Sequence, residues 1–255
     1  VNPPRDAPDA AAGTSRLDAA VATRGLARSR VQARAYIDAG QVSVNGIVVT
    51  KPARPVTPAD EIVVAAADPY VSRAAHKLLG ALADTGLTPS GRALDAGAST
   101  GGFTQVLLES GCDPVYAVDV GHGQLAGPIA EDPRVRVREG CNLRDLTLAD
   151  VGGEPVDWIV ADVSFISLRL LVEPLVSVLA VHGAALLLVK PQFEVGRERL
   201  GSGGVVRSAT DRERAVDEIA ALATRLGYPP HWRGESILPG QDGNVEYFLL
   251  LRAGT

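Results

Sequence analysis

Only three of the 25 basic residues are lysine, Lys51, Lys77 and Lys190; the other 22 are arginine. A sequence so weighted toward arginine raises the question of what each lysine does that arginine cannot. The chemical answer is proton release: an amine can serve as a base once it has lost a proton, whereas a guanidinium effectively never does. A lysine in that role needs its ordinary pKa of about 10.4 lowered by burial or by a second cation. A second constellation reads as a ligand-binding turn. Asp95-Ala96-Gly97-Ala98-Ser99-Thr100-Gly101-Gly102-Phe103 follows an apolar strand and opens a helix, and its glycines let a ligand approach the backbone. Asp119 ends the next strand, 22 residues after Gly97, where an acidic side chain binds adenosine ribose hydroxyls. The order is DxGxxxGG rather than GxGxxG, which argues against NAD or FAD. Glu246 lies inside an apolar strand, where a lone carboxylate is costly, so it calls for a partner.

The elements that must position these residues follow from periodicity. From residue 71 onward, apolar strands recur as RALDA, PVYAVDV, RVRVRE, VDWIVADV and AALLLVK, with helical stretches between most of them, such as 103–110 and 168–180. That alternation is the layout of a doubly wound α/β sheet. A helix over 71–86 leads in, and two last strands, HWRGESI and NVEYFLLLR, are expected to pair antiparallel at the sheet edge. Residues 191–206, PQFEVGRERLGSGGVV, form a long glycine-rich segment that suits either a substrate-closing lid or a plain connector.

The first part of the chain is different. Residues 1–15 are rich in Pro, Ala and Asp without periodicity and read as a disordered leader. Residues 16–66 hold two short helices, a hairpin around Asn45-Gly46 and a further strand, a small α+β unit. Residues 67–71 link it to the larger unit, 72–255. Between Arg16 and Arg54 seven basic residues face two acidic ones, so the segment carries +5 in a chain of net charge −5. One basic module on an otherwise acidic protein suggests a polyanion docked at one end. Two cysteines exclude a disulfide framework and fit a reducing cytoplasm, the expected compartment. The four histidines show no metal-ligand spacing, and no apolar run approaches the roughly 18 residues of a membrane span.

Longer motifs carry a resemblance. RLDAAVATRGLARSRVQARAYIDAGQVSVNG, followed by Lys51-Pro52, closely resembles the S4 RNA-binding domain, and Arg16, Arg28, Arg30, Arg34 and Lys51 match its RNA-contacting positions. The turn at Asp95 resembles that of class I (Rossmann-like) methyltransferases. Taken with ADVSFISL, LVKPQFEVG and GNVEYFLLLR, it is similar to the FtsJ-like 2′-O-ribose methyltransferases. The whole chain resembles the TlyA family of ribosomal RNA methyltransferases, a family also labelled haemolysins.

The resemblance implies S-adenosylmethionine as cofactor. Asp95, Ala96, Gly97, Ser99, Thr100, Gly101 and Gly102 would hold its methionine end, Asp119 its ribose and Asn142 its adenine edge, with Asp162 also in reach. It implies a catalytic tetrad of Lys77, Asp162, Lys190 and Glu246, with Lys190 as the base. Amine methylation usually shows an Asn/Asp-Pro-Pro-aromatic motif where this chain has Asp162-Val163-Ser164-Phe165, and neither Cys112 nor Cys141 matches a nucleophile position. A ribose hydroxyl, of cytidine by resemblance, is the acceptor left. Phe193 would stack on RNA. The expected partners are ribosomal RNA and ribosomal subunits, with no metal, no stable membrane association and no obligate protein partner. The alternatives are a catalytically silent RNA- and cofactor-binding protein and a membrane-lytic haemolysin. The latter has no amphipathic or spanning segment behind it.

Overall fold

The computed structural model describes residues 13–27, 29–65 and 69–254. Most of the expected leader, Arg28 and residues 66–68 of the expected linker lie outside the described residues. The chain divides into two compact units, Val1–Pro69 and Tyr70–Thr255.

In the first unit the short strand β1 (Ser15–Arg16) leads into helix α1 (Leu17–Thr23), and α2 (Arg30–Asp38) follows. Apolar residues at helical spacing, Leu17 with Val21 and Ala33 with Ile37, turn one face of each helix inward. Ser29 caps α2, its hydroxyl oxygen accepting from the Gln32 amide at 3.2 Å. Strands β2 (Val42–Val44) and β3 (Ile47–Val48) form the hairpin, with Asn45 at φ +52° and Gly46 at φ +78°. Two consecutive positive φ values are what a two-residue hairpin turn demands, hence Asn-Gly. β4 (Pro55–Val56) pairs with β1, and β5 (Ile62–Val64) pairs with β2. Val42, Val44, Val49, Val56 and Ile62 close the core against the helices.

The second unit opens with α3 (Ala74–Thr85), then β6 (Gly91–Ala96), α4 (Gly102–Glu109), β7 (Cys112–Val118), α5 (Gly127–Ala130), β8 (Val135–Arg138) and β9 (Val156–Ala161). After α6 (Val172–Ser177) come β10 (Leu179–Val189), α7 (Pro191–Glu194), α8 (Ala209–Arg225), β11 (Pro230–Glu235) and β12 (Tyr247–Arg252). The seven strands form one sheet in the order β11-β12-β10-β9-β6-β7-β8. β10, β9, β6, β7 and β8 pair in parallel, and β12 runs antiparallel to both neighbours. The two last strands thus pair antiparallel, as expected, but β12 lies inside the sheet, which explains its unbroken buried run Phe248–Leu249–Leu250–Leu251. The helix expected over 168–180 is shorter, because the buried Leu179 already pairs with Val156 as the start of β10. Hydrophobic clusters fill both faces of the sheet.

One buried carboxylate organises the first unit. Asp18 accepts from Arg16 Nε at 3.0 Å and Arg30 Nη2 at 3.1 Å, and the Arg16 guanidinium first among its neighbours holds its carboxyl down to about 2. A depressed folded-state pKa stabilises the fold above about pH 4, and that stability is lost as pH falls toward 2. Because both arginines are largely exposed, about 1 kcal/mol is expected. Asp18→Asn should therefore weaken hydrogen-exchange protection of the α1 and α2 amides about fivefold at pH 7, and wild type should lose the same protection between pH 5 and pH 2.

Candidate active site

Because β6, β7, β9 and β10 are parallel, their carboxyl ends open on one edge of the sheet, where doubly wound folds bind ligands. Register then decides which residues meet. Ala96 pairs with Ala161, which sets Gly97 beside Asp162, and the Asp162 amide donates to Ala96 O at 3.1 Å. Val189 pairs with Tyr247 in the antiparallel ladder, so Lys190, just past β10, lies across from Glu246, just before β12. α3 buries Ala75, Leu78, Ala81 and Leu82, and Lys77 shares that inward face.

Lys77, Asp162, Lys190 and Glu246 line one cavity of about 710 Å³. They stand as two pairs. Lys77 Nζ donates to Glu246 Oε2 at 2.6 Å, the lysine 9% and the glutamate 2% exposed. Lys190 Nζ lies 2.6 Å from Asp162 Oδ1 and donates to Ser164 Oγ at 2.8 Å. Gln192 Nε2 donates to Glu246 Oε1 at 3.4 Å. Charges so far removed from water are tolerated only when paired, which is what the sheet register and α3 together provide.

The glycine turn borders the same cavity through Gly97, Ser99, Thr100 and Gly102. Gly97 has φ +87°, and a Cβ there would sit 2.8 Å from the Asp162 carbonyl oxygen, so no larger residue fits. Asp119 binds the turn from the next strand, accepting from the Ser99 amide at 2.9 Å and from the Gly121 amide at 2.7 Å. Asp95 is fully buried beneath the turn; Thr104 Oγ1 donates to its Oδ2 at 2.6 Å, and its Oδ1 has no hydrogen-bond partner. Asp95, Ala96, Gly101, Asp119 and Asn142 do not line the cavity. Asn142 instead starts a short turn, its Oδ1 accepting from the Arg144 amide at 3.2 Å. Burial pushes the Cys112 thiol up to about 12, consistent with a filler and not a nucleophile.

Residues 191–206 are neither a free connector nor simply open loop. α7 starts them, Glu194 accepts from Ser167 Oγ at 2.5 Å and the Leu168 amide at 2.7 Å, and Asn244 Oδ1 accepts from the buried Val206 amide at 2.9 Å. Phe193 lines the cavity, 5.3 Å from the ring of Phe165, which is 92% exposed with φ +65°. Ser164, Phe165 and Gln192 carry no sequence pattern that marks them for the site, although Ser164 and Phe165 sit in the DVSF run directly behind Asp162.

On the first unit, Arg16, Arg30 and Arg34 have side chains 52%, 60% and 69% exposed, and Lys51 is exposed. Arg16 and Arg30 share Asp18, and Arg34 Nε lies 3.6 Å from Asp38, so part of each guanidinium is engaged within the fold. Among the described residues no three His, Cys, Asp or Glu cluster to hold a metal ion, and no helix is long and apolar enough to cross a membrane.

A mostly parallel seven-stranded sheet with one reversed strand, a glycine turn after β6 and an acidic residue after β7 define the class I methyltransferase architecture. Residues 70–253 match the FtsJ-like methyltransferase family and residues 15–62 match the S4 domain. The chain belongs to the FtsJ-like methyltransferase family and carries an S4 domain at its N-terminal side. It is 49% identical to the 16S/23S rRNA (cytidine-2'-O)-methyltransferase TlyA of Mycobacterium tuberculosis, over 94% of this chain and 91% of that protein. It is 38% identical to Hemolysin A of Brachyspira hyodysenteriae, over 91% of this chain and 97% of that protein. A solved structure of a hemolysin from Streptococcus thermophilus is similar at a TM-score of 0.73 and 36% identity, covering 96% of this chain and 90% of that one.

Burial, with repulsion from Asp162 and Asp119 added, pushes Asp95 up to about 7 against the hydrogen bond from Thr104. A carboxyl raised in the folded state keeps a proton that the unfolded chain releases, so stability falls as pH rises from about 4 to about 7. Asp95→Asn should melt on the order of 5 °C higher than wild type at pH 8.5, and the gap should close at pH 4, by calorimetry.

Proposed function

We propose that this chain methylates the 2′-hydroxyl of a cytidine ribose in ribosomal RNA, with S-adenosylmethionine as the methyl donor. The observation that carries this reading is the meeting of two close lysine–carboxylate pairs, Lys77–Glu246 and Lys190–Asp162, in one cavity beside the glycine turn. Neither cysteine lines that cavity, which leaves a hydroxyl the better acceptor than a pyrimidine carbon. The cytidine and the 16S or 23S rRNA are taken from the name of the M. tuberculosis relative, and the S4 match favours structured RNA on a ribosomal subunit. Residues 16–66 would bind RNA and residues 72–255 would carry the chemistry, in the cytoplasm, with no membrane attachment and no obligate protein partner.

The residues present fit the donor. The side-chain-free backbone at Gly97 and the polar turn to Gly102 form a cradle suited to the methionine end, with the carboxyl of Asp95 buried beneath it. Asp119 retains free lone pairs for ribose hydroxyls, and Asn142 keeps its amide donors for the adenine edge. When bound, S-adenosylmethionine would supply an electrophilic methyl on a positively charged sulfur, and the sulfur would keep the carbon–sulfur electron pair. Lys190 in its neutral form would take the proton of the 2′-hydroxyl, leaving the O–H electron pair on oxygen for the bond to the methyl. Asp162 balances the ammonium that results, while Lys77 and Glu246 orient the hydroxyl. General-base help of this kind is worth about 10²–10⁴-fold, and positioning much of the rest. Arg16, Arg28, Arg30, Arg34 and Lys51 would hold phosphates, and Phe193 would stack on a base.

Lys190→Ala and Asp162→Ala should each cut single-turnover transfer of a labelled methyl by at least about 100-fold while RNA affinity stays within about twofold. Lys190→Arg should be as inactive as the alanine variant, because arginine keeps its proton. Methyl transfer surviving in both alanine variants would overturn the reading. At Lys51 the role is charge alone, so Lys51→Arg should leave RNA affinity within about twofold and Lys51→Ala should weaken it and flatten its salt dependence.

A further inference from the structure

The directed hydrogen bond of Lys190 goes to a residue outside the two pairs. Ser164 Oγ accepts from Lys190 Nζ at 2.8 Å. Asp162 Oδ1 is nearer still, at 2.6 Å, and buried, so the amine stands between a carboxylate and a hydroxyl. That arrangement matters for a base. Lys190 must be neutral when it takes a proton, and in that state its ion pair with Asp162 weakens to a single N–H···O contact, which alone does not fix where the lone pair points. A hydrogen bond from an N–H to a hydroxyl oxygen survives, because it needs no charge.

We propose that Ser164 is the positioning residue for Lys190, holding the neutral amine by one N–H so that its lone pair faces the substrate hydroxyl in the cavity. The inference rests on the reading of Lys190 as the base for a 2′-hydroxyl. Ser164 and Lys190 both line the cavity. The backbone that presents Ser164 is tied to the helix that follows Lys190, through Glu194 on Ser167 Oγ and the Leu168 amide and through Phe165 against Phe193. In the step itself the ribose O–H bond breaks and a third N–H bond forms on Lys190. The oxygen electron pair bonds the methyl carbon, and the carbon–sulfur pair stays on sulfur. Ser164 exchanges no proton; it fixes the direction from which the proton is received.

Ser164 is solvent-exposed and outside both hydrophobic clusters, so its substitution leaves the core intact. Ser164→Ala in the full-length protein should lower the single-turnover rate about tenfold, with half-saturating RNA and S-adenosylmethionine concentrations within about twofold of wild type. Ser164→Thr, which keeps the hydroxyl, should recover most of that rate. With only three lysines in the chain, selective isotope labelling at Cε and Nζ gives three assignable signals. Without substrates, Ser164→Ala should move the Lys190 signal and leave Lys77 and Lys51 in place. A Ser164→Ala rate within twofold of wild type, with Lys190→Ala inactive, overturns the proposal and leaves the base assignment standing. An unmoved Lys190 signal overturns it as well. Full transfer by Lys190→Ala overturns the base assignment itself, and the proposal with it.

Discussion

Burying charge is the constraint on which the rest of this fold depends. Lys77, Lys190 and Glu246 are each at least nine-tenths buried, and a lone ion in such a place costs several kcal/mol. Each therefore has to meet its counter-ion, and topology decides whether it can. Glu246 precedes β12, and only a strand running against β10 brings its own beginning to the carboxyl end of the sheet. A parallel β12 would leave Glu246 at the far edge, some 20 Å away for a six-residue strand. The single reversed strand is thus what gives Lys77 its partner. The inward face of α3 supplies the other half, since Lys77 follows the buried Ala75 and precedes the buried Leu78.

The same edge gathers like charges as well. Asp95, Asp119 and Asp162 end or follow three adjacent strands, β6, β7 and β9, so three mutually repelling carboxylates meet around the glycine turn. The structure relieves this unevenly. Asp119 accepts two backbone amides, Asp162 faces Lys190, and Asp95, fully buried and held only by Thr104, is the one driven upward. A cationic ligand at this turn would relieve what remains, which agrees with the sulfonium donor proposed for it.

Sequence pattern revealed the periodic and the local. Strand alternation, the Asn45-Gly46 hairpin and the glycine turn could be read because they depend on near neighbours. The scarcity of lysine picked out Lys77 and Lys190, and the apolar run behind it made Glu246 conspicuous, although it precedes β12 and does not lie inside the strand as expected. Family motifs joined those residues into a set. Hidden from the sequence were relations set by register and burial. Arg16 and Arg30 look like free phosphate ligands until Asp18 is seen between them. The helix expected over 168–180 gave way early because Leu179 and Val156 pair across strands, which no local propensity signals. Ser164 is a small polar residue in a loop, with no pattern to distinguish it before Lys190 is found 2.8 Å away.

The loop behind β9 shows how reactive geometry is held by residues that do not react. Phe165 has a positive φ, a conformation that costs a non-glycine residue on the order of 1–3 kcal/mol and persists only where surrounding contacts dictate it. Those contacts are identifiable. Glu194, with its side chain almost wholly buried, takes two hydrogen bonds from Ser167 and Leu168, and Phe193 packs against the Phe165 ring. Both Phe193 and Glu194 belong to α7, the helix that begins directly after Lys190. The strained turn thereby carries Ser164 toward the lysine on whose own segment the tethers are built. Loosening α7 would disturb Lys190 and its hydrogen-bond acceptor Ser164 together, because the contacts that hold the Ser164 loop are made by the helix that follows Lys190.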